Sequence, residues 1–160
     1  MARFARPADA SQVVALYHAV WHETQAPFMP IEERTRRTLT FFVRRVSALR
    51  ATTLVEERGG SIVGFSAWSG RLLGQIFVAK AFRGTNVAPL LMAAAEREMA
   101  DRGIAEAELH CVVGNDRARR FYERMGWTHQ GEIFEPVLGK GGEVGVAFWR
   151  MIKTLCQPNK

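Results

Sequence analysis

Hydrophobic residues recur along the first third of the chain with the spacing of amphipathic helices. Asp9 and Gln12 have the residue types and spacing of a capping box, so they predict the start of a helix after a short strand over residues 4–6. A second helix is predicted over residues 31–49. The apolar faces of the two helices comprise Val13, Leu16, Tyr17 and Val20, and then Leu39, Phe42, Val43, Val46 and Leu49.

Near the middle of the chain the hydrophobic spacing changes to every second residue, which predicts strands. Residues 53–57 and 62–68 flank an Arg-Gly-Gly-Ser turn at 58–61 and therefore predict a β-hairpin. The apolar run at 75–78 predicts a third strand beside them. We expect three neighbouring antiparallel strands.

The second half returns to alternating helices and strands. It predicts a helix over 87–102, a strand over 107–113, a helix that Asn115 caps and Gly126 ends, and two strands over 128–138 and 144–152. The pattern predicts an α/β fold with a mostly antiparallel sheet of six or seven strands and about four helices. At 160 residues, the chain is expected to form a single domain with a flexible tail over 155–160.

The loop Arg83-Gly84-Thr85-Asn86 joins the third strand to the following helix. The first amides of a helix have no partners within the helix and carry a partial positive charge, so such a junction can bind an anion, most simply a phosphate. Gly84 would allow the anion a close approach to the backbone, Asn86 tolerates positive φ better than most residues, and Arg83 adds a charge. An ordinary strand-to-helix turn could have the same sequence.

The stretch Val-Ala-Lys-Ala-Phe-Arg-Gly-Thr-Asn-Val-Ala at 78–88 resembles the acetyl-CoA loop of the GNAT acetyltransferase superfamily, Val-x-Pro-x-x-Arg-Gly-x-Gly-x-Gly/Ala. Lys80 and Asn86 depart from that pattern. A weaker likeness to the usual opening of the family lies at residues 6–10. A second block with the spacing of the family contains Asn115, Ala118, Phe121, Tyr122, Gly126 and Trp127.

The resemblance implies a sheet splayed at its centre and acetyl-CoA as cosubstrate. It implies that the backbone of Phe77, Val78 and Ala79 binds the pantetheine arm and that the Val78 N–H stabilises the thioester oxyanion. The resemblance also implies that further residues bind the cofactor: Arg83, Gly84, Thr85, Asn86, Val87, Ala88 and Asn115. Asn115 could also be a plain helix cap. Tyr122 is expected to protonate the departing thiolate, with a packing role in the core as the alternative.

The chain carries a formal charge of +6, which could favour nucleic acid, a membrane surface or an anionic cofactor. The arginines are scattered among apolar residues, so solvated helix faces explain most of them and nucleic-acid binding is not favoured; Arg119 and Arg120 could reach the nucleotide phosphates. Two cysteines give no disulfide framework, and no signal peptide or continuous apolar span is visible. We therefore expect a cytoplasmic protein.

The sequence indicates the residues that bind the acceptor amine less clearly. Trp21, Phe28 and Trp68 could form an apolar pocket for a primary amine on a small molecule or a peptide, although at least one of them is expected to pack in the core instead. That amine must lose a proton, and His22, Glu23, His110, Glu132 and Glu135 are all candidate bases. His18 and His22 lack a third ligand, so no metal is expected.

The function expected from the resemblance is direct transfer of the acetyl group from acetyl-CoA to that amine. Cys111 lies in an apolar strand, which disfavours ping-pong chemistry through a cysteine. A module that binds acyl-CoA without catalysis is the alternative function, and pairing of the chain as a homodimer is left open.

Overall fold

A computed structural model describes residues 1–155. The strands are β1 (Arg3–Phe4), β2 (Thr53–Arg58), β3 (Ser61–Ser69), β4 (Leu72–Val78), β5 (Glu106–Val112), β6 (Thr128–Gly139) and β7 (Gly142–Thr154). The helices are α1 (Ala10–Thr24), α2 (Ile31–Arg36), α3 (Leu39–Leu49), α4 (Val87–Asp101) and α5 (Asp116–Arg124). None of the helices within this part of the chain is long and apolar enough to cross a membrane.

One seven-stranded sheet organises the molecule, in the order β1-β2-β3-β4-β5-β7-β6. All neighbours are antiparallel except β4 and β5, which run parallel. The predicted α/β class and the mostly antiparallel sheet are confirmed. β4 begins three residues earlier than the sequence indicated, because Gly74 is an extra residue in its pairing with β3 and hides the alternation there.

Neighbouring strand residues pack on opposite faces of the sheet. Val78 and Cys111 belong to the core beneath α4 and α5, whereas Phe77 and Val112 belong to the core beneath α1 and α3. Gly64 lets α4 approach β3 closely, since a Cβ there would lie 2.8 Å from the Leu91 side chain. The close contact fixes the start of α4 beside the end of β4.

The predicted helix over residues 31–49 is wrong as a single element, so residues 1–155 contain five α-helices where about four were expected. It breaks at Arg37, which leaves helical geometry with ψ of 64°. Thr38 then starts α3 by accepting a hydrogen bond from the Phe41 N–H at 3.2 Å. The predicted apolar face begins only at Leu39, after the break, so the hydrophobic spacing carried no sign of it.

The predicted capping box of the first helix is also wrong in its partners. The Asp9 carboxylate accepts from the Arg6 N–H at 2.7 Å and so closes a 3₁₀ turn ahead of α1. Gln12 instead accepts from the N–H of Ile62 on β3 at 2.9 Å.

Leu155, expected to begin a flexible tail, is buried, and its N–H donates to the Ala105 carbonyl at 2.9 Å. The rest of the predicted tail, residues 156–160, lies outside the described residues.

Candidate active site

The candidate site lies where β4 and β5 separate. The two strands pair only at Leu72 and Glu108. At the other end of β4, the Ala79 N–H donates to the Val63 carbonyl of β3 at 2.8 Å. Successive N–H groups of a strand point in opposite directions, so the Val78 N–H points away from β3 and towards β5, which gives it no ladder partner. The gap therefore exposes backbone groups that a ligand can satisfy.

A cavity of about 510 Å³ opens at this gap. It is bounded by the end of α1, the second half of β4, the loop before α4, and one face of α5. Its lining consists of Val20, Thr24, Gln25, Ile76, Phe77, Val78, Arg83, Gly84, Thr85, Ala88, Pro89, Asn115, Arg117, Ala118, Phe121, Tyr122, Arg124 and Met125.

The loop before α4 turns at Gly84, whose φ of +77° favours glycine, and a Cβ there would meet nothing within 4 Å. Arg83 contributes to the cavity wall but forms an ion pair with Glu23 of α1, with the second hydrogen bond at 3.1 Å. The ion pair ties the end of α1 to the loop and leaves the backbone at Gly84 open towards the cavity.

Three of the expected cofactor-binding residues do not line the cavity. The Ala79 N–H is used in the β3 ladder, and the Val87 side chain is fully buried in the core. Asn86 has an ordinary φ of −81°, and its side-chain oxygen accepts from Arg58 at 2.8 Å. The glycine that Asn86 replaces in the family pattern is therefore not required here by backbone conformation.

Helix α5 supplies the opposite wall. Asn115 caps it by accepting from the Ala118 N–H at 3.3 Å and also faces the cavity. The expected phosphate contacts Arg119 and Arg120 do not line the cavity; Arg119 pairs with Glu123 at 2.7 Å. Arg117 and Arg124 were not among the expected site residues, although their spacings of four and three residues from Phe121 place them on the cavity face.

Tyr122 also lines the cavity, two helical turns after the Asn115 cap. Within residues 1–155 its hydroxyl has no hydrogen-bond partner. Burial raises the pKa of Tyr122 above its ordinary value, so the phenol remains protonated and able to donate at neutral pH.

A second cavity of about 400 Å³ lies on the face of the sheet beneath α1, and Gln25 lines both cavities. Its lining consists of Tyr17, Trp21, Gln25, Met29, Arg36, Arg37, Arg45, Leu72, Gly74, Gln75, His110, Glu135, Pro136, Val137 and Phe148. The second cavity thus adjoins the first at Gln25 and is bordered by residues of α1, α2, α3 and β6.

The three aromatic residues expected around the acceptor separate in the structure. Trp21 is in the wall of the second cavity. Phe28 packs its ring over Gly114, where an added Cβ would lie 2.6 Å from the ring. Trp68 is 2% exposed in the core on the other face of the sheet, next to Phe4, so its assignment to the acceptor pocket is wrong.

His110 is held between two carboxylates in the second cavity. Its Nδ1 lies 2.7 Å from Glu135, and its Nε2 lies 2.7 Å from Glu108. The hydrogen bond to Glu135 is the largest of the interactions that raise the pKa of His110. The imidazole is therefore charged to a higher pH than an ordinary histidine.

Three of the other candidate bases, His22, Glu23 and Glu132, are less suitably placed, whereas Glu135 lines the same cavity as His110. His22 donates from Nε2 to the Arg37 carbonyl at 2.7 Å, and its ring stacks near that of His18. The hydrogen bond from Arg83 lowers the pKa of Glu23, which makes this carboxylate a weaker proton acceptor. Glu132 is exposed on β6.

The comparisons with known proteins agree with this geometry. The acetyltransferase (GNAT) family matches residues 13–127. Acetyltransferase Atu2258 of Agrobacterium fabrum is 38% identical over 74 residues, which cover 46% of this chain and 53% of that protein. The chain thus spans about half the length of this curated relative.

Solved structures share the fold over nearly the whole chain. A GCN5-related N-acetyltransferase from Rhodopseudomonas palustris superposes with a TM-score of 0.78 at 22% identity, over 97% of this chain and 95% of its own. The PaiA N-acetyltransferase of Thermoplasma acidophilum, solved with coenzyme A, has a TM-score of 0.70 at 18% identity and coverages of 96% and 98%.

YncA of Salmonella typhimurium, a putative acetyltransferase solved with acetyl-CoA, has a TM-score of 0.70 at 17% identity and coverages of 100% and 96%. The family match covers most of the chain, and the fold agrees with it. The chain belongs to the GNAT acetyltransferase family.

Proposed function

We propose that this protein transfers an acetyl group from acetyl-CoA directly to a primary amine of a small molecule or a peptide. The observation that carries the proposal is the cavity at the gap between β4 and β5. The unpaired backbone of Val78, the Gly84 loop and the Tyr122 side chain all border that cavity. Two structural neighbours that were solved with coenzyme A or acetyl-CoA support this donor.

The residues around the cavity fit the parts of such a donor. Its phosphates would meet the loop at Gly84, the start of α4, and the guanidinium groups of Arg117 and Arg124. The amides of the pantetheine arm would pair with the backbone of β4 that faces the gap. The thioester carbonyl would then lie near the Val78 N–H.

In the transfer, the amine nitrogen bonds to the carbonyl carbon and the carbon–sulfur bond breaks. The Val78 N–H donates to the carbonyl oxygen as negative charge develops there, an interaction worth about 3 kcal/mol in comparable sites. Tyr122 donates a proton to the departing sulfur, and the amine loses a proton to a base. The products are an amide and a free thiol.

We assign His110 as the base that accepts the amine proton. It lies in the second cavity, which adjoins the first at Gln25. Because both of its nitrogens face carboxylates, the imidazole must first lose a proton and turn the freed nitrogen from its carboxylate to the amine before it can accept another. The reaction should therefore need a pH above the raised pKa of His110.

The surroundings of Cys111 favour direct transfer over a cysteine-linked acetyl intermediate. Burial raises the pKa of the Cys111 thiol to about 12. The reactive form of a cysteine is the thiolate, which is scarce at neutral pH when the pKa is that high.

Calorimetry with acetyl-CoA, followed by thiol release against a panel of primary amines, tests the proposal. We expect both binding and amine-dependent release. Binding without release would favour the acyl-CoA-binding module. No binding, together with salt-sensitive affinity for DNA, would favour a nucleic-acid function.

The phosphate loop gives a second test. Gly84→Asp should weaken acetyl-CoA binding roughly 10-fold to 100-fold, because it places a carboxylate where phosphates would lie. Arg83→Ala should cost less, since Arg83 is already paired with Glu23. Gly60→Asp is the matched control for backbone strain: Gly60 has φ of +80°, also has open space around it, and lies in the β2–β3 turn. Equal losses of acetyl-CoA affinity in the two aspartate variants would show that the Gly84 loop does not bind the phosphates.

The pH profile tests the base. For the wild type, kcat should rise with pH through an inflection above the ordinary histidine pKa of 6.5, since neutral His110 is the active form. His110→Gln should lower kcat by roughly 10-fold to 100-fold and remove that inflection. The control is His129→Gln, because His129 is exposed and lines neither cavity. An unchanged inflection in His110→Gln would assign proton transfer to another group or to water.

A further inference from the structure

Three guanidinium groups surround one aromatic ring at the edge of the second cavity. The Cζ atoms of Arg36, Arg37 and Arg45 lie 5.8, 4.3 and 5.3 Å from the centre of the Phe41 ring. All three arginines also line the cavity. The helices α2 and α3 thus bring three positive charges to one end of a confined space.

One carboxylate pairs with two of these three arginines. Glu33, which is fully buried, accepts from both Arg36 and Arg37. Arg45 has no carboxylate partner within residues 1–155. Burial, together with the nearby charge of Arg45, lowers the pKa of Arg37. An anion at this end would relieve that repulsion.

The other wall of the cavity has the opposite character. There, Glu135 of β6 is bound to His110, the base assigned above, and Glu108 lies behind the ring. Both carboxylates bond to His110, and Glu108 also pairs with Arg71 and Arg150, so neither is paired with Arg45. The space of about 400 Å³ between the two walls suits a small molecule that carries a positive and a negative group at opposite ends.

We propose that the acceptor is a small amine that also carries a carboxylate, and that Arg45 binds that carboxylate while the amine faces His110. This inference rests on the proposed function and adds the class of acceptor to it. A planar guanidinium fork matches the two oxygens of a carboxylate, and the partly buried position at the cavity wall strengthens the interaction.

The first measurement compares a graded series of ω-amino acids with their carboxamides. The separation between the two ends keeps the amine pKa similar within each pair, so the comparison isolates the negative charge. The wild-type protein should prefer the acid over the carboxamide by roughly 10-fold to 100-fold in kcat/KM. Equal rates, or a preference for an aminoalkyl phosphonate over the carboxylate, would overturn the inference.

The second measurement removes the charge of Arg45. Arg45→Gln should raise KM for the ω-amino acid by the same factor, leave kcat within about twofold, and leave the carboxamide unaffected. Arg44→Gln is the matched control, because Arg44 is the neighbouring arginine of α3, is exposed and does not line the cavity. A preference for the acid that survives in Arg45→Gln, with the thermal midpoint unchanged, would refute the role of Arg45.

Calorimetry separates this inference from the proposed function. The ω-amino acid is titrated into wild-type protein saturated with coenzyme A, so that no turnover is required. Binding that weakens in Arg45→Gln but not in Arg44→Gln supports the carboxylate site even if no acetyl transfer is found. Acetyl transfer to simple amines without binding of the ω-amino acid supports the proposed function and overturns the acceptor class.

Discussion

Replacement of Tyr122 by phenylalanine is expected to lower turnover by roughly 10²-fold to 10⁴-fold, the range for loss of a general acid. The substitution removes one oxygen atom and retains the ring. The affinity for acetyl-CoA and the thermal midpoint of unfolding should therefore change little. This is the largest effect on catalysis that we expect from any single substitution in the chain.

The physical reason lies in the surroundings of the Tyr122 hydroxyl. Tyr122 borders the cavity at the gap between β4 and β5. Its hydroxyl has no hydrogen-bond partner within residues 1–155, so the hydroxyl is available to a ligand. Because burial raises its pKa, the phenol remains protonated at neutral pH and can donate to a negatively charged group that forms beside it, without that group being the stronger base. In the proposed reaction, the departing thiolate of coenzyme A is that group.

The choice of leaving group gives a sharper test than turnover alone. A thiolate of lower pKa needs less help to depart. With an acetyl thioester of an aromatic thiol, Tyr122→Phe should therefore lose much less activity than it loses with acetyl-CoA. An equal loss with both thioesters would contradict proton donation to sulfur. A fall in turnover that accompanies a fall in the thermal midpoint would assign Tyr122 to the scaffold.

Most residues of the expected donor site line one cavity, and the sequence could indicate them because they lie close together along the chain. The Gly84 loop directly follows a strand and precedes a helix, and Asn115 and Tyr122 occupy one helix at fixed spacing. Local chemistry of this kind is visible without knowledge of the fold. What it could not show was which loop residues turn inward: Asn86 bonds Arg58, from a distant hairpin, and so faces away from the cavity.

The second cavity, which we propose binds the acceptor, could not be predicted because it is assembled from distant segments. Arg45 lies on α3, His110 on β5 and Glu135 on β6, and each is an ordinary polar residue in its own helix or strand. Only the sheet order brings them together. For the same reason Trp68 was misplaced: aromatic character indicates burial, but the sheet face on which a strand residue packs depends on its register.

The break between α2 and α3 has a related cause. Arg36 and Arg37 both turn towards Glu33, so the last turn of α2 closes around a buried carboxylate instead of continuing. Helix propensity and apolar spacing do not report such a cluster, since both residue types favour helices. The same cluster places Arg36 and Arg37 at the second cavity.

Glu33→Ala is expected to lower the free energy of unfolding by about 3–5 kcal/mol, the range for removal of one partner from a buried ion pair. The Glu33 side chain is fully buried and accepts from Arg36, Arg37 and the Leu138 N–H, the last at 3.0 Å. Arg36 is 44% exposed and can return to water, whereas Arg37 is 14% exposed and cannot do so readily. The substitution also removes the hydrogen bond that joins the Leu138 N–H of β6 to Glu33 of α2.

Urea denaturation of the wild type, Glu33→Ala and Glu32→Ala measures this effect. Glu32 is the neighbouring acid in the first turn of α2, so its variant reports the loss of a helix-dipole interaction alone and should cost well under 1 kcal/mol. Equal costs in the two variants would show that the buried cluster contributes no net stability.

The difference between the wild type and Glu33→Ala should also depend on pH. Burial favours the neutral acid, but the hydrogen bonds from Arg36, Leu138 and Arg37 outweigh it and hold the pKa of Glu33 below 4.5. A lowered pKa means that the contribution of the carboxylate is complete above that value and is lost as the pH falls through the pKa of the folded protein. The stability difference should therefore be constant near neutral pH and shrink in acid. A difference that persists in acid would assign the effect to the cavity left by the side chain and not to its charge.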